Sequence, residues 1–378
     1  MPNRACQARR PPGKPIPLVK AGESVIYPSD FPVNSIAFVN ILQTAPGALL
    51  KTNSRVLVTG GTGFVGSHLL EALSAQGVRP RVLVRRTSNV TRLAELGAER
   101  IEGGLDDRAA LARAVRGVDI VFHLAAATRA RSEREYYQVN AEGTRALVEA
   151  VLAAQPRPRR LIYLSSLAAA GPAHNRQPIG LGDVPRPITA YGRGKLAGEQ
   201  FCLDTASELK IIVLRAPAVY GPRDRDLFLC FLLAARGILP VPCGPERLLQ
   251  FVHVSDLVEA LLRAAAVPHA AGIYHIAEPR SYAWSEIAEW IAKAVGRRVR
   301  AVRVPPWIVQ AAAAVSEFAA GSIGRATIFN REKARELLAP GWLCETEAAK
   351  RDLGFEGRIP LPAGLTGTAA WYREQGWL

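Results

Sequence analysis

The stretch Arg55–Gly66, Arg-Val-Leu-Val-Thr-Gly-Gly-Thr-Gly-Phe-Val-Gly, decides the fold. Its first five residues read as a short buried strand. Beyond the glycines, Val65, Leu69, Leu70 and Leu73 recur at helical spacing, which predicts a helix over Phe64–Gln76 ended by Gly77. Gly60 can take a backbone angle closed to other residues. Gly63 lets the backbone approach a pyrophosphate, and Gly66 lets helix and strand pack closely. Phe64 and Val65 open the helix, whose N–H groups and positive dipole end face the phosphates. A glycine pattern alone is weak, but strand, turn and helix in this order make it a dinucleotide-binding turn.

Reading outward, the same alternation repeats. Strands are predicted at Arg81–Arg85, around Arg100–Gly103, at Asp119–Leu124, Arg160–Ser165 and Lys210–Arg215. Helices are predicted at Thr91–Leu96, Ala109–Val115, Tyr137–Ala154 and Tyr191–Ser207. Near-continuous apolar strands between helices imply a parallel sheet covered on both faces. The expected fold is therefore α/β, a Rossmann-type doubly wound parallel sheet over residues 55–220. After Gly221 the alternation weakens. Residues 221–378 read mainly as a smaller C-terminal α/β substrate lobe, with 251–276 returning to the main sheet or its rim.

The end of the second strand bears on which dinucleotide binds. A ribose 2′-hydroxyl is recognised by an acid about 20 residues beyond the glycines. Arg85 and Arg86 stand there, and no acid follows until Glu95. Guanidinium groups pair with a 2′-phosphate that a carboxylate would repel, so NADP(H) is favoured and NAD(H) stays open. Tyr191 and Lys195 lie one turn apart at the start of a predicted helix. An ammonium there can lower the phenol pKa and make it usable for proton transfer. Ser165 and Ser166 end the strand just upstream, at the carboxyl edge of the sheet, where ligands bind in open α/β folds.

Composition excludes other classes. The chain has 378 residues, of which 49% are hydrophobic and 21% charged, too apolar and mixed for disorder. Five cysteines without a CxxC spacing and six histidines without an HExxH leave no case for a metal, and sparse cysteines fit a reducing, cytoplasmic setting. The net charge of +15 comes mostly from arginines spread along the chain, so no nucleic-acid partner is expected. Residues 1–54 read as a flexible extension. Their mildly apolar stretch Val33–Leu50 is interrupted by Asn34, Asn40 and Gln43 and resembles a signal peptide only loosely. Pro305–Ala320 is an apolar helix candidate that would touch a membrane if the substrate were lipid-like, although packing within the lobe is the simpler reading. Trp284, Trp290 and Trp307 are read as packing residues, and His123 and His253 as structural hydrogen-bonding residues.

Taken together these motifs resemble the extended short-chain dehydrogenase/reductases, the group that includes nucleotide-sugar epimerases, 3β-hydroxysteroid dehydrogenases and dihydroflavonol reductases. The resemblance runs from about Arg55 to the C-terminus. Asp119–Ala126 is similar to the family's fourth-strand motif, which puts Leu124, Ala125 and Ala126 beside the cofactor. Val139–Thr144 resembles its VNxxGT segment and Leu164–Pro172 its serine strand, with the catalytic role falling on Ser166. Tyr191 and Lys195 match the catalytic pair. Leu214–Asp224 resembles the segment beside the nicotinamide, with Pro217 and Val219 in it, and Phe251–Leu257 a later substrate-lobe motif.

What the resemblance implies is a dinucleotide-dependent oxidoreductase. Tyr191 would donate or accept the proton, Lys195 would lower the Tyr191 pKa and bind the nicotinamide ribose, and Ser166 would hydrogen-bond the reacting oxygen. A homodimer through the helices near 137–154 and 191–207 is also implied. Three positions depart from the family pattern. Its DxxD reads Gly104-Leu105-Asp106-Asp107, so only Asp107 is in place for the adenine. The serine strand lacks the acid pair of the sugar-nucleotide dehydratases. Ala168-Ala169-Ala170-Gly171 stands where many epimerases have Val-Tyr-Gly. The expected activity is interconversion of a ketone and a secondary alcohol on a small hydrophobic substrate. The alternatives are a nucleotide-sugar epimerase with tightly bound NAD, and a non-catalytic dinucleotide-binding scaffold or redox sensor.

Overall fold

The computed structural model describes residues 49–322, 324, 326–327 and 329–378. Most of the expected extension, and the apolar stretch from Val33 up to residue 48, lie outside them. Packed chain begins earlier than Arg55: Leu50 is buried in the core and its N–H donates to the Gln76 side chain.

The first half of the chain builds the central sheet in repeated strand–helix units. In order these are β1 (Val56–Thr59), α1 (Phe64–Ala75), β2 (Arg81–Val84), α2 (Thr91–Glu95), β3 (Glu99–Glu102), α3 (Arg108–Val115) and β4 (Ile120–His123). There follow α4 (Glu133–Tyr137), a π-helical turn (Gln138–Glu142), α5 (Gly143–Ala153), β5 (Arg160–Ser166), α6 (Leu167–Ala170), α7 (Ala190–Leu203) and β6 (Lys210–Ala216). After them come β7 (Ala218–Tyr220), α8 (Phe228–Ala235), β8 (Ile238–Pro242), β9 (Leu248–Leu249), β10 (Phe251–His253), α9 (Val254–Ala266) and β11 (Gly272–His275). The sheet order is β11-β6-β5-β4-β1-β2-β3, and every pairing is parallel. The strand order reverses between β1 and β4, the switch point at which doubly wound sheets bind ligands.

Both faces of the sheet's centre are covered, which is why β1, β4, β5 and β6 are apolar without alternation, whereas the edge strand β3 is charged and largely exposed. Val56 and Val58 point into one core with Leu69 and Leu73 of α1 and Leu257 and Leu261 of α9. Leu57 points the other way, into a core with Leu111 of α3, Leu147 and Val151 of α5, and Tyr163 of β5.

The chain then runs through β12 (Tyr282–Ala283), α10 (Trp284–Val295), β13 (Arg300–Val304), α11 (Pro306–Ser322), α12 (Arg331–Leu338), β14 (Gly341–Trp342), α13 (Glu347–Leu353) and α14 (Leu361–Glu374). Small ribbons join β10 to β7, β13 to β8, and β12 and β14 to β9. Their core gathers Tyr220, Phe231, Phe251, Ile287, Ile291 and Tyr372.

Two helices differ from the sequence reading. The segment expected as one helix over 137–154 starts at Glu133, capped by Ser132, and widens into the π turn. The turn accommodates Asn140, which is fully buried and exchanges two hydrogen bonds with the Ala127 backbone, at 2.7 and 3.0 Å. The helix expected over 191–207 starts at Ala190, capped by Thr189, and stops at Leu203. Its end tightens there because the Thr205 hydroxyl and N–H both turn back onto the Cys202 carbonyl. Trp284 and Trp290 pack against the C-terminal core as expected, but Trp307 does not: it is 68% exposed on α11.

Candidate active site

At the β1–α1 turn the glycines are dictated by contact. Gly60 has φ of 74°, and a Cβ on it would lie 2.6 Å from the Ala125 nitrogen. A Cβ on Gly66 would lie 2.1 Å from the Gly60 carbonyl oxygen. Gly63 takes the N-cap position, and no side chain caps α1, so its first N–H groups face outward beside Phe64 and Val65. A turn of this shape, with an uncapped 12-residue helix behind it, fits a pyrophosphate.

Around that turn the other sequence-predicted cofactor residues take their places. Arg85 and Arg86 follow β2 directly and are exposed, in no ion pair among the described residues. Asp107 caps α3, accepting the Ala110 N–H at 2.9 Å. Leu124, Ala125 and Ala126 leave the end of β4 half-buried, and the Ala125 N–H donates to the Thr59 hydroxyl. Pro217 is buried between β6 and β7, and Val219 is half-buried within β7.

His123 anchors the floor. Its Nδ1 lies 2.7 Å from the Thr59 hydroxyl and its Nε2 2.9 Å from that of Thr144, and its ring stacks on Tyr163. Burial, then the Lys195 charge, pull its pKa down to about 3, so it stays neutral and structural.

Ser166, Tyr191 and Lys195 come from two elements, the end of β5 and the first turns of α7. The Ser166 hydroxyl caps α6 through the Ala168 N–H at 3.1 Å, and it draws the Tyr191 phenol pKa down. Lys195 is 1% exposed. Its Nζ donates to the Leu164 carbonyl at 2.7 Å and lies 4.0 Å from the centre of the Tyr163 ring. The helix can approach this closely because Gly198 has no side chain: a Cβ there would sit 2.5 Å from both the Asn140 oxygen and the Tyr163 hydroxyl.

Burial dominates the electrostatics of the site. Burial pushes the Tyr191 phenol up to about 12, with the Glu336 carboxylate adding to it and the Ser166 hydroxyl opposing. Burial pulls Lys195 down to about 7, and Glu199 one turn further along α7 opposes that pull. Lys195 makes no hydrogen bond to the phenol among the described residues. Its ammonium is directed to Leu164 and Tyr163 instead.

Several neighbours were not singled out as site residues from the sequence, although Arg215 and Arg223 lie within the Leu214–Asp224 segment. Glu199 and Arg215 form a bidentate ion pair at 2.7–3.2 Å with side chains 1% and 3% exposed, and Ser165 donates to the same carboxylate. Glu199 falls on the Tyr191–Lys195 face of α7, a spacing that could have found it. From far along the chain, α12 closes on the site. Glu332 accepts the Ala190 N–H, Asn330 is hydrogen-bonded to the Tyr136 phenol, and the charges of Lys333 and Glu336 reach Tyr191. Arg223, at φ of 74°, clamps the segment after β7 onto α1 through Glu71 at 2.7 and 2.8 Å and Ser67 at 2.9 Å. Among the described residues no group of three or more His, Cys, Asp or Glu is arranged to hold a metal.

A glycine-built phosphate turn at the switch point, with a Ser–Tyr pair and a buried lysine at the same sheet edge, defines an NAD(P)-dependent oxidoreductase. The model of the NAD dependent epimerase/dehydratase family matches residues 56–277, and the chain belongs to that family. It is similar to the ceramide reductase of Caulobacter vibrioides, 34% identical over 335 residues, covering 87% of this chain and 98% of that protein. It is also similar to a 4-hydroxy-2-methyl-3-oxo-4-farnesyl-3,4-dihydroquinoline-1-oxide ketoreductase of Stigmatella aurantiaca, 29% identical over 327 residues, covering 82% of this chain and 94% of that one. Among solved structures, MoeE5 in complex with UDP-glucuronic acid and NAD superimposes with a TM-score of 0.67 at 27% identity, covering 85% of this chain and all of that one.

Proposed function

We propose that the protein is an NADP(H)-dependent reductase of a ketone on a hydrophobic, lipid-like substrate. The observation that carries this reading is the convergence of Ser166, at the end of β5, with Tyr191 and Lys195, in the first turns of α7, in a site whose burial holds the phenol up at about 12. At neutral pH such a phenol is fully protonated, the form that reduction of a carbonyl consumes. The likeness to a ceramide reductase and a ketoreductase supports the substrate class. Arg85 and Arg86, exposed and outside any ion pair among the described residues, support NADP(H) over NAD(H).

In this reading the turn from Gly60 to Gly66 holds the pyrophosphate, and Arg85 and Arg86 hold the 2′-phosphate. Asp107 borders the adenine, Leu124 to Ala126, Pro217 and Val219 border the nicotinamide, and Lys195 holds its ribose. When bound, the nicotinamide supplies the hydride. Ser166 hydrogen-bonds the carbonyl oxygen of the substrate and orients it towards Tyr191. Tyr191 donates its proton to that oxygen as negative charge develops there. The apolar run Ala168–Ala170 and Tyr136 wall the site against water. A homodimer through α4, α5 and α7 belongs to the same proposal, supported by the exposure of Tyr137 on that surface.

Titration of the purified protein with NADPH and with NADH, followed by nucleotide fluorescence, tests the cofactor. The reading predicts tighter NADPH binding that weakens about 10²-fold in Arg85→Ser/Arg86→Ser, each lost charge-assisted bond contributing 1.5 kcal/mol or so. A site that purifies already filled with NAD would move the nucleotide-sugar epimerase to the front.

A further inference from the structure

Helix α11 is apolar on its outward side. At 100° per residue Trp307, Phe318, Ala311, Val315, Ile308, Ala319 and Ala312 fall on one face, which is broken by Ser322 at the last position of the helix. Trp307 and Val315 are 68% exposed and Phe318 is 79% exposed. Only the narrow opposite side is packed, with Val309 and Ala313 against Ala334 of α12. The usual arrangement of a surface helix is thus inverted, and a contiguous exposed patch of this kind marks an interaction surface. Packing within the lobe accounts for Val309 and Ala313 and for none of the aromatic residues.

The ground around the helix is basic. Strand β13 leads into α11 and pairs with β8. Arg297, Arg298, Arg300 and Arg303 stand on and before β13, and Arg236 precedes β8, where the Gly237 carbonyl accepts the Arg300 N–H. All five are exposed, and none is in an ion pair among the described residues. Ile238 and Val302 are exposed on the same ribbon, 50% and 39%. Helix α12, which packs beneath α11, is the helix whose Lys333 and Glu336 act on Tyr191.

We propose that α11 lies in the surface of an anionic bilayer, its Trp307–Phe318 face among the acyl chains and the β8–β13 arginines on the lipid headgroups. Apolar burial and attraction of basic side chains to anionic headgroups together give reversible interfacial binding. No described helix is long and apolar enough to cross a membrane, so the contact is peripheral. The proposal goes beyond the reductase reading and does not depend on it, because its test measures binding and not turnover.

The full chain is floated with vesicles of phosphatidylcholine alone and of phosphatidylcholine containing phosphatidylglycerol. The proposal predicts flotation with the anionic vesicles, decreasing with salt. Phe318→Glu and Val315→Glu, both at exposed positions, each weaken it about tenfold or more at unchanged melting temperature, as loss of one buried apolar side chain requires. Arg298→Glu/Arg300→Glu weakens binding to anionic vesicles while leaving the helix intact. Hydrogen exchange in the presence of vesicles slows over 306–322. Failure to float with anionic vesicles overturns the proposal, as does flotation that Phe318→Glu leaves unchanged. An oligomer that Phe318→Glu dissociates, without flotation, overturns it in favour of a second copy of the chain on this face.

Discussion

The Lys195 ammonium lies 4.0 Å from the centre of the Tyr163 ring and donates at 2.7 Å to the Leu164 carbonyl. A charge held this far from water has its pKa pulled down to about 7 by burial. In the unfolded chain lysine titrates near its ordinary value, 10.5. Between these two pH values the unfolded state binds more protons than the folded one, so the contribution of Lys195 to stability rises with pH across that window. Below about 7 the buried charge is a full cost.

Lys195→Met removes the charge at nearly equal volume. The expected outcome is a protein more stable than wild type at pH 6, by roughly 1–4 kcal/mol. That advantage should shrink as the pH rises from 7 towards 10. Urea unfolding of both proteins across that range measures it, and a constant difference would show that Lys195 is not desolvated. Turnover is lost in the same variant.

The Ser166 hydroxyl opposes the upward shift of the Tyr191 phenol, and the Lys333 charge does so to a lesser degree. Ser166→Ala should push the phenol higher still. It should lower kcat by about 10²-fold, the usual worth of one positioned group in proton transfer, with KM for the nucleotide unchanged. Steady-state kinetics of reduction separates the two parameters.

The Glu199–Arg215 pair, with both side chains essentially excluded from solvent, supports the same edge of the sheet. Glu199→Ala leaves an uncompensated guanidinium in the core and is expected to destabilise by about 3–5 kcal/mol. Removing Arg215 as well, in Glu199→Leu/Arg215→Met, should recover much of the loss. Equilibrium unfolding of the single and double variants reads the coupling, and additive losses would mean the two residues act independently.

Gly66 has no room for a methyl group, since a Cβ would meet the Gly60 oxygen at 2.1 Å. Gly66→Ala must therefore displace the turn or the helix. The expected result is nucleotide binding weakened by more than tenfold, with a destabilisation of about 1–3 kcal/mol from overpacking. Isothermal titration with NADPH, alongside thermal unfolding, checks both.

Much of this architecture was legible in the sequence, because a parallel sheet buried on both faces writes its strands as unbroken apolar runs. Residues 56–58, 120–122 and 211–214 are such runs, and each lies in a strand where the pattern put it. The β1–α1 turn was legible because Gly66 is fixed by contacts with Gly60 and Gly61, within the same motif, although Gly60 is also fixed by Leu124 and Ala125 beyond β4. Local patterning did not reveal the π turn, which depends on Asn140 meeting Ala127. Nor did it give the direction of the Tyr191 pKa, which burial sets and which Glu336, on a helix 145 positions further along, reinforces. The apolar character of α11 was visible, but its side chains could face the core or the solvent, and only the tertiary structure decides which.

The central claim is that a proton from Tyr191 accompanies hydride delivery to a substrate ketone. Turnover with NADPH deuterated at C4 of the nicotinamide, on a panel of long-chain ketones, tests it most directly by mass spectrometry of the product. The account predicts one deuterium on the carbinol carbon, stoichiometric with nucleotide oxidised, and a loss of about 10²-fold or more in Tyr191→Phe. Nucleotide bound with no label transferred to any ketone, or label transfer undiminished in Tyr191→Phe, would contradict it.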